Sequence, residues 1–264
     1  MTAVLTAPGV GGLLREWRHS RHLSQLDLAV TAGVSARHLS FVETGRSKPS
    51  RELVIHLAHE LDVPLRDRNA LLLAAGYAPV YRQTALEEDE MAPVRGALDK
   101  IVNAHEPFPA VVVDRRWELV TANGAALAML TAGVAPELLA PPVNALRVSL
   151  HPDGMAGRIA NFTQWAEHLL ARLDRQIAVT RAADLVVLAE ELRAYPGVGP
   201  TSRSTDVAER LFVPLVLSHA GQELRFFSTV ATFGTAVDIT VAELAIESFF
   251  PADEDTARFL TDAT

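Results

Sequence analysis

His151 and Asp153 are the two side chains whose types and spacing most directly suggest chemistry. A histidine and an aspartate two positions apart can share a metal ion or act as an acid–base pair. Two ligands do not make a metal site, however, and the sequence has no His-Glu-x-x-His, no Gly-x-Ser-x-Gly and no glycine-rich phosphate loop. We therefore expect no metal site, no required cofactor and no catalysis, and we expect His151 to cap a helix that begins near Met155.

A cluster of basic side chains near the N-terminus is the second chemical feature. Residues 15–51 contain seven basic and three acidic residues, although the whole chain has a net charge of −8. Residues 82–264 carry fifteen basic and twenty-five acidic residues, so the negative charge lies mainly there. Because charges more than about 8 Å apart are largely screened at physiological salt, the local positive excess would attract a phosphate backbone. A solvated helical face is the alternative explanation of these charges.

The composition excludes several other classes of protein. The chain has 264 residues, of which 49% are hydrophobic and 21% charged, enough for two compact domains with real cores. It contains no cysteine, which excludes disulfides, iron–sulfur clusters and thiol catalysis. It also has no run of 18 uncharged apolar residues and no secretory signal pattern. We therefore expect a cytoplasmic protein with no membrane partner.

Short helices must position the basic cluster. In the segment "LSQLDLAVTAGVSARHLSFVETGRSKPS", Ser24 and Ser35 are N-caps of two helices, and Gly33 permits the left-handed turn between them. Ser50 caps a following helix in "SRELVIHLAHEL". Helices this short cannot each bury a face alone, so we expect about five of them to pack together. The positions predicted to face inward are Leu13, Leu14, Trp17, Leu26, Leu28, Ala29, Leu39 and Val42.

Residues 10–76 resemble the phage-repressor-type (Xre) helix-turn-helix domain. The resemblance rests on Gln25, Ala29, Gly33 and Ser35 around the turn, and on "ETGRSKPS", which is similar to the family's E-x-G-x-x-x-P. It implies that the third helix enters the major groove of double-stranded DNA. One such domain covers few base pairs, so we expect a homodimer on an inverted repeat. A protein-binding helical bundle is the alternative.

The resemblance also assigns roles to individual residues. Gln25 and Arg46 would contact phosphates, and Arg37 would face a base edge, where a guanidinium can bond guanine O6 and N7. Phe41 would contact a thymine methyl group or pack internally. The implied DNA-contact positions are Gln25, Ser35, Ala36, Arg37, His38, Ser40, Phe41, Arg46 and Lys48, and the structural positions are Arg18, Glu43 and Gly33. The self-cleaving Ser/Lys dyad of many such repressors is excluded, because no lysine follows Lys100.

The second half of the chain has a different pattern. Periodicity is lost in residues 77–92, so we predict a first domain at 1–81 with its core at 10–76, a linker at 82–92 and a second domain at 93–264. A helix in "PVRGALDKIVNAH" precedes a hairpin in "PFPAVVVDRRWELVTAN", after which Asn123 caps a helix. A long helix follows in "MAGRIANFTQWAEHLLARLDRQI", then strands in "RLFVPLVLSH" and "ELRFFSTVATFG". The last segment, "TVAELAIESFFPADEDTARFL", predicts two short helices broken at Pro251.

Three segments of this half, "HEPFPAVVVDRRWELVTAN", "SLHPDGMAGRIANFTQWAEHLL" and "TFGTAVDITVAELAIESFFPADEDTA", resemble the ligand-binding domain of MmyB-like transcription regulators. The family joins an Xre-type domain to a PAS-like α/β domain, so the resemblance covers residues 10–262. It implies an α+β chain: an all-α helix-turn-helix domain, then a PAS-like sensor domain with an antiparallel sheet. It also implies an effector-responsive regulator, with a bound fatty acid or similar lipid as the suggested small apolar ligand.

An apolar pocket in this domain is consistent with the residues. A helix offering Phe162, Trp165 and Leu169 over a sheet carrying Phe226 could enclose a cavity. Arg158 or Asn161 near one end would meet a carboxylate, and Asn123 is a further candidate contact. An ordinary packed core is the alternative explanation of this aromatic stripe. Two other functions stay open: a regulator without an effector, whose second domain dimerises or docks another protein, and an enzyme fused to a DNA anchor.

Overall fold

The computed structural model describes residues 9–199 and 213–262, and these form two compact units. The second unit begins at Thr84, and two short later segments, Ala178–Thr180 and Val237–Ile239, are grouped with the first unit. The segment 82–92, predicted as a linker, contains a 3-10 helix, Asp89–Met91, in which Met91 is buried. The predicted α+β fold class, with an all-α domain followed by a domain with an antiparallel sheet, is confirmed.

The first unit is a bundle of five short helices. They are α1 (Val10–Ser20), α2 (Gln25–Thr31), α3 (Ala36–Glu43), α4 (Arg51–Glu60) and α5 (Leu65–Ala74). The predicted caps are confirmed, since the hydroxyls of Ser24, Ser35 and Ser50 each accept a hydrogen bond from a backbone N–H of the first helical turn. Leucines, valines and Trp17 fill the space between the helices, which therefore stabilise one another rather than stand alone.

The inward position predicted for Leu26 is wrong. Its side chain is 63% exposed, whereas Leu28 and Ala29 are buried. Positions 26 and 28 lie about 200° apart around a helix of 3.6 residues per turn, so they cannot share one face. In so short a helix, only one of these two side chains can reach the core of the bundle.

The second unit is built on a five-stranded antiparallel sheet with the order β2-β1-β5-β4-β3. The strands are β1 (Ala110–Val113), β2 (Leu119–Ala122), β3 (Leu215–His219), β4 (Gln222–Thr232) and β5 (Ala245–Pro251). The helices are α6 (Ala92–Asn103), α7 (Gly124–Thr131), α8 (Ala145–Leu150), α9 (Phe162–Thr180), α10 (Ala183–Arg193), α11 (Ile239–Ala242) and α12 (Glu254–Asp262). None of the helices in the described ranges is long and apolar enough to cross a membrane.

The two faces of this sheet bury different cores. One face carries Val113, Leu217 and Phe226 and packs with α8, α9 and α10. The other carries Val112 and Ile246 and packs with α6. Neighbouring residues of β1 thus belong to opposite cores, as the alternation of side chains along a strand requires. An apolar cavity lies on the α9 side of the sheet.

Three predictions for this unit are wrong. Residues 245–251 form the central strand β5 rather than a helix, because pairing with β1 and β4 on both sides decides the conformation of this Ile- and Phe-rich segment. The long helix α9 begins at Phe162, not near Met155, since residues 156–158 form only a 3-10 turn. His151 is therefore the C-cap residue of α8, a helix that was not predicted, as α10 was not. Residues 210–212 of the predicted strand "RLFVPLVLSH" lie outside the described residues.

Candidate functional site

The turn between α2 and α3 is fixed by local hydrogen bonds. The Ser24 hydroxyl accepts from the Asp27 N–H while the Asp27 carboxylate accepts from the Ser24 N–H, a capping box at the start of α2. Gly33 follows α2 with a φ of +62°, a left-handed conformation that costs a residue without a Cβ little. The Ser35 hydroxyl then accepts from the His38 N–H and starts α3. The chain thus leaves α2 and enters α3 at a defined angle.

A buried ion pair joins α1 to the end of α3. Arg18 Nε donates to Glu43 Oε1 at 2.7 Å and Nη2 donates to Oε2 at 2.9 Å, with side chains 6% and 0% exposed. Burial alone would raise the pKa of Glu43, but hydrogen bonds from Arg18 and Gln25 hold the pKa of this carboxyl below its usual range. The bond to Glu43 likewise raises the pKa of Arg18. Both groups therefore stay ionised at neutral pH.

Gln25, which was predicted to touch a phosphate, takes part in this network. Its Nε2 donates to Glu43 Oε2 at 2.7 Å, so its amide is engaged within the protein. The first turn of α2 is thereby tied to the end of α3. The carboxylate of Glu43, for which the sequence predicted a structural role, positions the side chain of Gln25.

Gly11 is a close-packing position beneath the basic cluster that the sequence analysis missed. A Cβ at this residue would lie 2.3 Å from the carbonyl oxygen of Val42 and 2.8 Å from that of Glu43, so only glycine lets α1 approach the end of α3 this closely. The signal in the sequence was Gly11-Gly12 inside a helical pattern, where glycine usually requires a packing reason.

The outward side of α3 presents positive charge. Arg37 and His38 are exposed there, and Phe41 is partly buried. The guanidinium carbon of Arg37 lies 5.4 Å from the centroid of the Phe41 ring, and that of Arg46 lies 5.9 Å from it. Phe41 therefore holds two cations by cation–π contact. We call the surface formed by these four residues the basic face of α3.

The remaining predicted DNA contacts lie around the basic face. Ser35 is exposed, and Ala36 and Ser40 are partly buried. Lys48 is exposed, with its Nζ 5.2 Å from the centroid of the Tyr77 ring. The helix-turn-helix resemblance alone implies that these residues contact DNA, and this contact stays a prediction.

The second unit contains an apolar cavity between the sheet and α9, enclosing about 80 Å³. A single water needs roughly 10–15 Å³, so this space is several times larger than one water site. Val113, Leu215, Leu217 and Phe249 supply the sheet side. Trp117, Met129, Leu130, Leu146, Ser149 and Met155 are among the residues that close the other sides.

Three of the predicted ligand contacts line this cavity: Trp165, Leu169 and Phe226. The first two lie one turn apart on α9, and Phe226 faces them from β4. Trp165 Nε1 donates to the Ser149 hydroxyl at 3.1 Å, which fixes the indole against the cavity and satisfies its only polar group. The aromatic stripe is thus cavity wall at these positions.

Asn123, Asn161 and Phe162 are not among the residues that line the cavity. Asn123 makes four hydrogen bonds to the backbone, to the N–H groups of Ala110 and Ala126 and to the carbonyls of Val102 and Phe108. The Asn161 amide bonds the backbone of Pro214 and Val216 and so ties the start of α9 to β3. Phe162 lies against Gly197, and the structure gives all three a packing or linking position.

Arg158 also lies outside the cavity lining, but it is close to it. Its Nη2 donates to the carbonyl oxygen of Met129, a residue of the cavity wall. Its Nε and Nη1 are buried without a hydrogen-bond partner in the described part of the chain. Burial lowers the pKa of Arg158. The structure therefore places this guanidinium behind the wall rather than at the cavity surface.

Glu247 is the charged residue of the described cavity lining, and the sequence analysis missed it. It lies in β5, is 6% exposed and lines the cavity. Arg172 Nη1 and the Ser228 hydroxyl both donate to its Oε1 at 2.8 Å. The signal in the sequence was a single acidic residue in the apolar run "AIESFFP", which a strand would bury.

His151 and Asp153 are engaged by contacts within the protein. The Asp153 N–H donates to His151 Nδ1 at 3.1 Å, and the imidazole packs edge-on against Tyr195. Across the described residues there is no group of three or more metal-ligating side chains.

Comparison with known proteins identifies both halves of the chain. A model of the MmyB-like transcription regulator ligand binding domain matches residues 94–263, and a helix-turn-helix model matches residues 14–67. HTH-type transcriptional regulators of Mycobacterium bovis and Mycobacterium tuberculosis, themselves named as uncharacterized, are 33% identical over 129 residues. That match covers 48% of this chain and 46% of each relative. The chain thus matches about half the length of these curated relatives.

Proposed function

The chain belongs to the MmyB-like transcription regulators, with an Xre-type helix-turn-helix domain before the ligand-binding domain, and we propose that it is a one-component, effector-responsive regulator. In this proposal the basic face of α3 contacts the DNA major groove, and a small apolar effector occupies the cavity beside α9. The cavity carries the proposal, since a void lined by apolar side chains is a ready binding site.

The DNA-binding half of the proposal is supported by where the cations lie. Arg37 and Arg46 are both held on the exposed side of α3, while the opposite side of α3 buries Leu39 and Val42. An exposed guanidinium near the start of a recognition helix can bond guanine O6 and N7. We propose a homodimer on an inverted repeat, because one such domain reads few base pairs.

The effector proposed for the cavity is a slender apolar molecule of the acyl-chain class. The small volume and the apolar walls favour a chain over a bulky ring system, and Trp165, Leu169 and Phe226 would contact it. To switch the regulator almost completely, the effector must bind one DNA-binding arrangement about 5.5 kcal/mol better than the other. We propose that the protein acts in the cytoplasm, where its operator lies.

Two variants of α9 distinguish a ligand-binding cavity from a packed core. Leu169→Trp fills the cavity, whereas Leu173→Trp, one turn further along α9, enlarges a fully buried residue that does not line it. We expect Leu169→Trp to fold with nearly wild-type stability and to lose effector binding. Leu173→Trp should instead overpack the core, costing about 1–3 kcal/mol of unfolding free energy.

Native mass spectrometry and thermal denaturation of the two variants make the measurement. Wild-type protein purified from cells should retain a ligand of a few hundred daltons, and Leu169→Trp should not. Equal destabilisation by both variants, in a wild-type protein that retains no ligand, would contradict the cavity proposal and favour a second domain that serves only dimerisation or docking.

A further inference from the structure

The cavity is apolar on nearly all sides but has one charged residue in its wall. Of the described residues that line it, Glu247 alone carries a charge. At 6% exposure a carboxylate is stabilised in a protein interior by a charged partner and hydrogen bonds. Because the Glu247 carboxylate lies in the wall of the proposed effector site, it restricts the chemical type of polar head group that a ligand can have.

Among the described residues, the hydrogen bonds that hold Glu247 go to one of its two oxygens. Arg172 Nη1 and the Ser228 hydroxyl both donate to Oε1, each at 2.8 Å, and Oε2 takes part in neither bond. Arg172 is itself held in place, with its guanidinium carbon 4.8 Å from the centroid of the Trp117 ring. A carboxylate has about four acceptor positions on its two oxygens, and the hydrogen bonds to Glu247 from the described residues leave those of Oε2 for a ligand.

Beside Arg172 and Glu247, Arg175 is a further cation that acts electrostatically on the neighbouring His168. Arg172 and Glu247 together are electrically neutral. His168, stacked on Trp165 at 5.5 Å between ring centroids, has its pKa lowered by burial and by Arg172, which keeps its imidazole neutral at pH 7. A ligand ion placed beside Oε2 would therefore add an unbalanced charge to a site with low exposure.

We propose that the effector binds with an uncharged hydrogen-bond donor, a hydroxyl group, on Oε2 of Glu247. This inference rests on the proposed function and narrows its ligand class to long-chain alcohols or hydroxylated acyl compounds. A hydroxyl donates to the free oxygen without adding charge. An ionised fatty acid would instead set a second carboxylate against Glu247, where low exposure strengthens the repulsion. The cation beside Glu247, Arg172, already bonds it, so a carboxylate would need the guanidinium of Arg158, which bonds the carbonyl oxygen of Met129 in the cavity wall.

Binding to the wild-type protein tests the donor directly. Delipidated full-length protein is titrated calorimetrically with 1-decanol, with decyl methyl ether, which keeps the oxygen but has no donor, and with decanoate. We expect decanol to bind about tenfold or more tightly than either of the others, since a hydrogen bond to a charged acceptor contributes roughly that factor. This series needs no variant, so a folding defect cannot obscure it.

We expect Glu247→Gln to reverse the preference of the protein for decanol over decanoate. The amide cannot balance Arg172, so decanoate should gain at least tenfold relative to decanol. Glu191→Gln is the matched control, because it removes the partner of Arg147 outside the cavity and should leave the order of the ligands unchanged.

The alternative outcomes separate this inference from the proposed function. Equal binding of alcohol, ether and acid would leave the cavity as the effector site and overturn the hydroxyl assignment. Tightest binding of decanoate, lost in Arg158→Ala, would also overturn it and move the head group to Arg158. No binding by any of the three would remove the apolar effector, and the hydroxyl inference would go with it.

Discussion

The basic face of α3 and the apolar cavity beside α9 differ in how much of the chain is needed to build them. The residues of the basic face fall between positions 37 and 46. The cavity wall runs from Pro109 to Phe249 and brings together strands, helices and turns far apart in sequence. A surface built within one helix and its cap can be inferred from local signals, whereas a cavity depends on pairing that no local pattern contains.

The ion pairs of the two units sharpen this contrast. Arg18–Glu43 closes the first unit with both side chains almost inaccessible. Arg147–Glu191 in the second unit has similar bonds, at 2.8 and 2.7 Å, but its side chains are 42% and 35% exposed. Buried and exposed pairs of the same chemistry should therefore differ strongly in their contribution to stability.

Glu43→Gln should have the largest effect on stability. It leaves Arg18 buried without its counter-ion, which costs about 3–5 kcal/mol, whereas Glu191→Gln should cost no more than about 1 kcal/mol. Amide hydrogen exchange of α1 and α3, followed by mass spectrometry, reports the first unit by itself. Equal protection of these helices in wild type and Glu43→Gln would show that the pair contributes little and that the contrast between the units is not electrostatic.

The same pair makes the first unit sensitive to acid. The folded state lowers the pKa of Glu43, so its contribution is fully present above the ordinary glutamate pKa, about 4.3, and is lost as the pH falls through the lower, folded value. Urea unfolding between neutral pH and about pH 3 should show this loss in the wild type. In Glu43→Gln that part of the pH dependence should be missing.

Asn123→Ala should have the next largest effect, and it tests a residue first predicted to contact ligand. Loss of its four backbone hydrogen bonds should destabilise the second unit by about 1–3 kcal/mol. Denaturation followed by tryptophan fluorescence measures this. Effector affinity, measured where the variant is folded, should stay within about twofold of wild type. A loss of affinity with stability unchanged would restore the original assignment.

The features that the sequence predicts are those determined by local residues, and the features that it misses depend on long-range contacts. The serine caps and the turn at Gly33 were predictable, because each depends on neighbours within four residues. The strand β5 was not, because Ala245–Pro251 has apolar residues compatible with either structure. Pairing with β4 on one side and with β1, more than 130 residues away, on the other decides between them. Apolar spacing on α9 correctly brought Trp165 and Leu169 to one place.

The polar residues of the cavity could not be predicted in the same way. Asn161 and Arg158 lie next to the predicted aromatic stripe in sequence, but the backbone turns before α9 begins, and both side chains bond backbone groups instead. Glu247 reaches the cavity only because β5 occupies the centre of the sheet. Because the sequence predicted a helix where β5 lies, it gave no indication that Glu247 is the charged residue of the described cavity lining.

Arg37→Ala and Arg46→Ala together test the basic face of α3. Arg37→Ala should remove about 1–3 kcal/mol of discrimination at one base pair. Arg46→Ala should instead weaken all sequences by a similar factor and lower the salt dependence of binding. Fluorescence anisotropy with operator variants at several salt concentrations measures both. Unchanged base preference in Arg37→Ala would remove this residue from the groove.

Phe41→Leu should have the smallest effect and separates positioning from direct contact. Leucine keeps the apolar packing and can touch a thymine methyl group, but it cannot make cation–π contacts with Arg37 and Arg46, which lie 5.4 and 5.9 Å from the ring centroid. Such contacts contribute about 0.5–1 kcal/mol at exposed sites, so operator affinity should fall by roughly two- to fivefold. In an Arg37→Ala, Arg46→Ala background the same substitution should have no effect, because the cations are gone. A loss that persists there would mean that Phe41 contacts the DNA itself, and the double-mutant cycle therefore decides between the two roles.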